Sequence, residues 1–180
     1  IQLLNNILKK FKKKKFKNLL IPKFDKSIDD RSKKFKWQKI KKRPDIVILE
    51  GWCVGATHQK ESDLKKPLNS IEKKFDQKLI WRRKVNYYLK NQYKKIFKKI
   101  DKLVYLKAPN FSYIYKWRLL QEQKMKLTLK NKKTMSKQQV KEFIMFYERI
   151  TKHMIKNFYK ISDMTIFLDK YHRSKKIKFY

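Results

Sequence analysis

The sequence predicts an α/β fold, a mostly parallel sheet flanked by helices, on three observations. Residues Asp45-Ile46-Val47-Ile48-Leu49 form an apolar run rich in β-branched side chains, the pattern of a strand buried on both faces. Two further short apolar runs, Leu103 to Leu106 and Met164 to Leu168, are bounded by polar or Pro-containing segments. Between them lie long stretches with apolar residues at helical spacing, and strands alternating with helices of that length imply βα units.

Along the chain, Leu3, Leu4, Ile7, Leu8 and Phe11 mark an amphipathic helix, and Lys12 to Lys15 then keep the chain on a solvated surface. Leu19 to Ile21 is a short strand stopped by Pro22, and Lys23 to Arg31 is a polar loop carrying Asp25, Asp29, Asp30 and Arg31. Trp37 and Ile40 precede a turn at Lys41 to Pro44, which leads into the central run. That run ends in Glu50-Gly51, so a carboxylate stands at the carboxyl end of a predicted strand, the edge where open α/β sheets bind ligands. The same pair is also the commoner signature of an ordinary turn. A polar, mobile loop is expected from Thr57 to Lys66. From Trp81 to Ile100 the stripe Val85, Tyr88, Leu89, Ile96, Phe97 predicts a long helix. Asn110 is placed to cap a helix carrying Trp117, Arg118 and Glu122. Lys124 to Lys137 reads as a basic connection, Ser136 and Gln139 as a capping box, and Val140, Phe143, Ile144, Tyr147, Ile150, Thr151 and Met154 as the buried stripe of the next helix. Asp169 to Tyr180 reads as a basic tail, and the whole as a single domain, residues 1–180.

Composition narrows the function classes. With 41% hydrophobic and 14% aromatic residues, the 180-residue chain has the means to build a core. A net charge of +36 invites a polyanion partner. Lysine, however, is spread through every segment together with abundant Ile, Asn, Phe and Tyr, so nucleic acid is expected to bind only nonspecifically. Arginine is scarce, and Arg31, Arg43, Arg82, Arg83, Arg118, Arg149 and Arg173 become candidates for bidentate recognition of phosphate or carboxylate. For Arg118 an i,i+4 pair with Glu122 is the plainer account. Cys53 is the only cysteine, which excludes an internal disulfide and fits a reducing, cytoplasmic setting. No membrane partner is expected, since no apolar run approaches the ~20 residues of a spanning helix. The histidines are scattered, against a zinc or Cys/His site. With two glycines, Gly51 and Gly55, the chain contains no Gly-x-x-x-x-Gly-Lys-Ser/Thr phosphate cradle. A carboxylate at a strand end with arginines near helix ends suits phosphoryl transfer, where Mg²⁺ and guanidinium groups neutralise the moving charge.

Several stretches together resemble the D-glycerate 3-kinase family of P-loop kinases. They are Pro22 to Lys26 with Asp30-Arg31, Val47 to Gly55, Pro67-Leu68-Asn69 with Glu72, and Trp81-Arg82 with Val85-Asn86. Ala108-Pro109, Trp117-Arg118 with Gln121-Glu122, and Phe143 with Tyr147-Glu148-Arg149 and Thr151 complete the series in family order. The resemblance implies a three-layer P-loop NTPase-like fold, incomplete here at the amino terminus, and ATP-dependent phosphorylation of D-glycerate using Mg²⁺. It implies Glu50 as the carboxylate acting on the metal or its waters, Asp25, Lys26 and Arg31 as the acceptor-side loop, and Arg118 as a lid arginine reaching the ATP phosphates. Arg82 and Asn86 are weaker candidates for the same cleft. The family's phosphate loop and acidic general-base segment have no counterpart in these residues, so residues 1–180 alone are expected to be inactive. A related kinase acting on a nucleoside or pantothenate, a nucleic-acid-binding protein, and a non-catalytic scaffold remain as alternatives.

Overall fold

The computed structural model describes residues 1–25, 28, 30–128 and 134–180. They form two compact units, Ile1–Gly51 and Trp52–Tyr180.

In the first unit, helix α1 (Gln2–Phe11) is followed by strand β1 (Leu19–Ile21), which pairs antiparallel with β4 (Gln38–Ile40) in the register Leu19 to Ile40. Between them the polar loop forms a small hairpin, β2 (Phe24–Asp25) against β3 (Asp30–Arg31). The hairpin is closed by buried Ser32, whose N–H and Oγ–H both donate to the Lys23 carbonyl, at 2.8 and 2.9 Å. Trp37 Nε1 donates to the Ser32 carbonyl at 2.8 Å, fixing the indole over the same turn.

The central run departs from expectation. Residues 46–50 form no strand, and Ile46 and Ile48 are 79% and 88% exposed. An apolar, β-branched segment has the propensity for a strand, but a strand exists only through a ladder with a neighbour, and none of the pairings among the described residues includes this segment.

The second unit holds a three-stranded sheet in the order β5-β6-β7. Strands β5 (Val104–Lys107) and β6 (Met164–Leu168) are parallel, joined through α6 (Phe111–Thr128) and α7 (Lys137–Asn157), as a parallel pair requires a crossover. β7 (Ser174–Phe179) runs antiparallel to β6. The expectation of a mostly parallel sheet is therefore corrected: among the described residues one pairing is parallel and three are antiparallel. The basic tail is likewise corrected to an edge strand. Its lysines suit an edge, where charge discourages further pairing.

Helices α2 (Glu61–Lys65), α3 (Ser70–Phe75), α4 (Ile80–Tyr88) and α5 (Lys94–Phe97) precede the sheet, and one π turn, Leu89–Tyr93, joins α4 to α5. Asn69 caps α3 by accepting from Glu72 N–H, and Asn110 Oδ1 accepts from Ser112 N–H at the start of α6. Ser136 and Gln139 form the reciprocal box that starts α7. A core cluster of Ala56, Leu89, Tyr105, Met154 and Phe158 joins the loop after Trp52, the π turn, β5 and the end of α7. Gly55 is required there: its φ is +81°, and a Cβ would lie 2.6 Å from the Phe158 ring. Among the described residues no helix is long and apolar enough to cross a membrane.

Candidate functional site

In the first unit, Asp25 and Arg31 sit on adjacent strands of the β2/β3 hairpin, where Asp25 pairs with Asp30 and Phe24 with Arg31. Arg31 is exposed and its backbone N–H donates to Asp30 Oδ1 at 2.6 Å. Lys26 lies outside the described residues. Glu50 is exposed at the end of the unpaired apolar run.

In the second unit Arg82, Arg118 and Arg149 fold into the protein, whereas Arg83 and Arg173 stay exposed. Asp76 lies just past the end of α3, and the chain turns through Leu79 at φ 62° before α4 begins. That turn aims the backbone N–H groups of Trp81 and Arg82 at the Asp76 carboxylate, at 2.8 and 3.0 Å. The Arg82 side chain is 3% exposed and folds back onto the same residue. Its Nε donates to Asp76 Oδ2 at 2.8 Å, one terminal nitrogen to the Asp76 carbonyl at 2.6 Å, and the other to the Leu64 carbonyl at 2.9 Å. The latter nitrogen also stands 3.7 Å from Glu72. Burial would raise the Asp76 pKa, but the two N–H groups, the Arg82 hydrogen bond and its charge together hold it below the ordinary value.

Glu72 links this arginine to a second one. Arg149 on α7 grips it with Nε to Oε1 at 2.7 Å and a terminal nitrogen to Oε2 at 2.6 Å. The remaining Arg149 donors go to the carbonyls of Asp63 and Lys66, each at 2.7 Å. The Leu68 N–H donates to Glu72 Oε2 at 2.7 Å. Burial alone would raise Glu72, and the hydrogen bonds from Arg149 and Leu68, with the charges of Arg149 and Arg82, outweigh it and depress its pKa. This paired carboxylate and guanidinium network ties α2, α3, α4 and α7 together. Its sequence signal is the scarcity of arginine, which makes Arg82 and Arg149 candidates for bidentate contact with a carboxylate; nothing in the sequence pairs Asp76 with Arg82 across a left-handed turn.

Asn86, one turn after Arg82, is committed to the loop after Trp52. Its Oδ1 accepts from Gln59 N–H at 2.7 Å and its Nδ2 donates to the Gln59 carbonyl at 3.1 Å, as a neighbouring strand would. Of the loop expected from Thr57 to Lys66, Glu61–Lys65 forms α2, and Thr57 and Gln59 are hydrogen-bonded to α7 and α4. Trp52 Nε1 donates to Thr151 Oγ1 at 2.8 Å while its ring stacks on Tyr147 at 5.1 Å, and Thr57 meets His153 at 3.0 Å. Cys53 packs against the core, and burial pushes its thiol up to about 11.

Arg118 sits on α6 with its guanidinium 5.5 Å from the Phe143 ring centroid and ion-paired to Glu122. The terminal nitrogen that meets Glu122 Oε1 in this pair is buried. Glu122 is 4% exposed, and its other oxygen accepts from Met135 N–H at 2.9 Å. Arg118 thus stands near α7 on the side of Phe143, whereas Arg82 and Asn86 are spent on neighbouring carbonyls, carboxylates and loop backbone. Among the described residues no cluster of three or more His, Cys, Asp or Glu side chains is disposed to hold a metal ion.

No protein-family model matches the chain. An uncharacterized kinase of Schizosaccharomyces pombe, Mug58, is 36% identical over 153 residues, covering 82% of this chain and 53% of that protein. The chain spans about half the length of the curated relative it matches. Among solved structures, D-glycerate 3-kinase from Cryptococcus neoformans var. grubii matches with a TM-score of 0.77 at 22% identity, over 99% of this chain and 66% of its own. The YGR205w protein matches with a TM-score of 0.71 at 23% identity, over 98% of this chain and 62% of its own. In sequence the chain is similar to an uncharacterized kinase, and in fold to the solved D-glycerate 3-kinase.

Proposed function

We propose that the protein carrying these residues transfers the γ-phosphoryl group of ATP to D-glycerate, giving 3-phosphoglycerate. The observation that carries this reading is the match to D-glycerate 3-kinase over 99% of the chain, supported by the kinase relative. A P-loop NTPase-like architecture is part of the same proposal.

Within it, Glu50 provides a carboxylate to Mg²⁺ or its waters. The donor chemistry fits: Mg²⁺ in kinases is held by one or two carboxylates, with ATP phosphates and water completing the shell, so a three-residue cage is not required. Bound Mg²⁺ would neutralise charge on the phosphates during transfer. Asp25, Lys26 and Arg31 form the acceptor-side loop, where a cation is suited to the glycerate carboxylate. Arg118 is the phosphate-binding arginine that the family resemblance implies, and it would have to exchange its ion pair with Glu122 for the phosphate. Arg82 and Asn86 act as scaffold, since their donors and acceptors already have partners. Lacking a Gly-x-x-x-x-Gly-Lys sequence, residues 1–180 by themselves would not turn over ATP.

A coupled ADP-release assay on the gene's protein product, with D-glycerate, uridine and pantothenate as acceptors, tests the reading. Release dependent on D-glycerate is expected. Release with uridine or pantothenate and not with glycerate would transfer the protein to a related kinase of another acceptor.

A further inference from the structure

We infer that His153 is a pH-operated latch, holding the loop from Trp52 to Gln59 against α7 only while its imidazole is neutral. His153 Nε2 lies 3.0 Å from Thr57 Oγ1, and Nδ1 lies 3.2 Å from Asn157 Nδ2. The same Asn157 nitrogen donates to the His153 carbonyl at 3.1 Å. An amide nitrogen only donates. Turning the Asn157 amide over would set its oxygen against that carbonyl oxygen, two acceptors face to face. The hydrogen-bond network therefore assigns Nδ1 as a bare acceptor and Nε2 as the protonated nitrogen donating to Thr57. A second proton would place an N–H at Nδ1 against the N–H groups of Asn157. The ring and the Asn157 amide must then part, and the latch is the case in which the ring turns and withdraws Nε2 from Thr57.

The charged groups around the ring come from each element beside it. Burial is the largest influence and disfavours the imidazolium; Asp63 of α2 favours it, while His58 of the loop and Lys156 of α7 oppose it, leaving the pKa below the ordinary histidine value. A histidine whose folded pKa is lowered stabilises fully above its unfolded value, about 6.5, and loses that contribution as pH falls through the folded value. The other fastenings, Trp52 to Thr151 and Gln59 to Asn86, carry no titrating group, so acid would release the middle of the loop and leave its ends attached. The loop begins two residues after Glu50 in sequence, but the latch does not depend on the phosphotransfer reading.

Hydrogen exchange measured by mass spectrometry, corrected for intrinsic rates, tests it at about pH 7.5 and about pH 5.5. In the parent, amides 54–60 are expected to lose protection at the lower pH, by up to about tenfold, while the π-turn and α5 amides do not change. Asn157→Asp supplies an acceptor to Nδ1–H and is expected to retain loop protection in acid. His58→Gln should leave the acid step intact, and His153→Gln, still able to donate to Thr57, should abolish it. Loop protection that does not vary with pH in the parent would overturn the inference. So would an acid step that persists in His153→Gln or is unmoved in Asn157→Asp.

Discussion

Replacing Arg82 with methionine keeps an apolar stem of similar length and removes the donors that Asp76 and Leu64 use. The guanidinium leaves behind the Asp76 and Leu64 carbonyls and one side of the Asp76 carboxylate, all served at 2.6 to 2.9 Å in the parent. Asp76 keeps its two backbone donors, so its charge is not abandoned entirely. Breaking a buried pair by removing one partner costs about 3–5 kcal/mol, and the retained donors place the expected loss near the middle of that range, about 4 kcal/mol. Urea unfolding followed by far-UV circular dichroism measures it: with a slope of roughly 2 kcal/mol per molar, the midpoint should fall by about 2 M. The adjacent Arg83 supplies the control. Its pair with Glu61 is exposed, each side chain 54% accessible, so Arg83→Met should cost under about 1 kcal/mol. Equal, small losses in both variants would refute a structural commitment of Arg82 and return its guanidinium to the list of ligand contacts.

Two further outcomes follow from the same packing. Gly55→Ala must place a side chain in a left-handed conformation and against the Phe158 ring, and is expected to destabilise by about 2–4 kcal/mol, read as a lowered thermal midpoint. Glu72 and Asp76 both have depressed pKa values, so their contribution is complete above ordinary carboxylate values, about 4, and is lost as pH falls through the folded ones. Stability should therefore hold from neutrality to about pH 4.5 on their account and fall below it, and Arg149→Met should move the acid limb to higher pH, as followed by an acid titration of circular dichroism.

Where local chemistry determines structure, the sequence was readable. Ser136 and Gln139 specify the start of α7 through their own hydrogen bonds, and the apolar run Met164–Leu168 is the strand β6. The run at Ile46–Leu49 has equal propensity but no ladder partner, and strand formation is a property of pairs. β7 was hidden because lysine, which reads as tail, is also what an edge strand tolerates. For the site, an arginine's position in sequence says nothing of where a long side chain ends. Arg82 turns back to an aspartate six residues earlier through a left-handed turn with no periodic signature, whereas the Arg118–Glu122 pair follows from helical spacing. Thr57 and His153, 96 residues apart, meet only through tertiary packing.

The assignment of Glu50 is tested most directly by Glu50→Gln in the gene's protein product, assayed for D-glycerate-dependent ADP release with Mg²⁺ saturating. Removal of a carboxylate that serves the metal is expected to lower kcat about 100-fold or more, about 2.7 kcal/mol of transition-state stabilisation. The residue is exposed, so the variant should unfold at the parent's midpoint. Turnover within about threefold of the parent, under 1 kcal/mol, would contradict a role for Glu50 in the reaction.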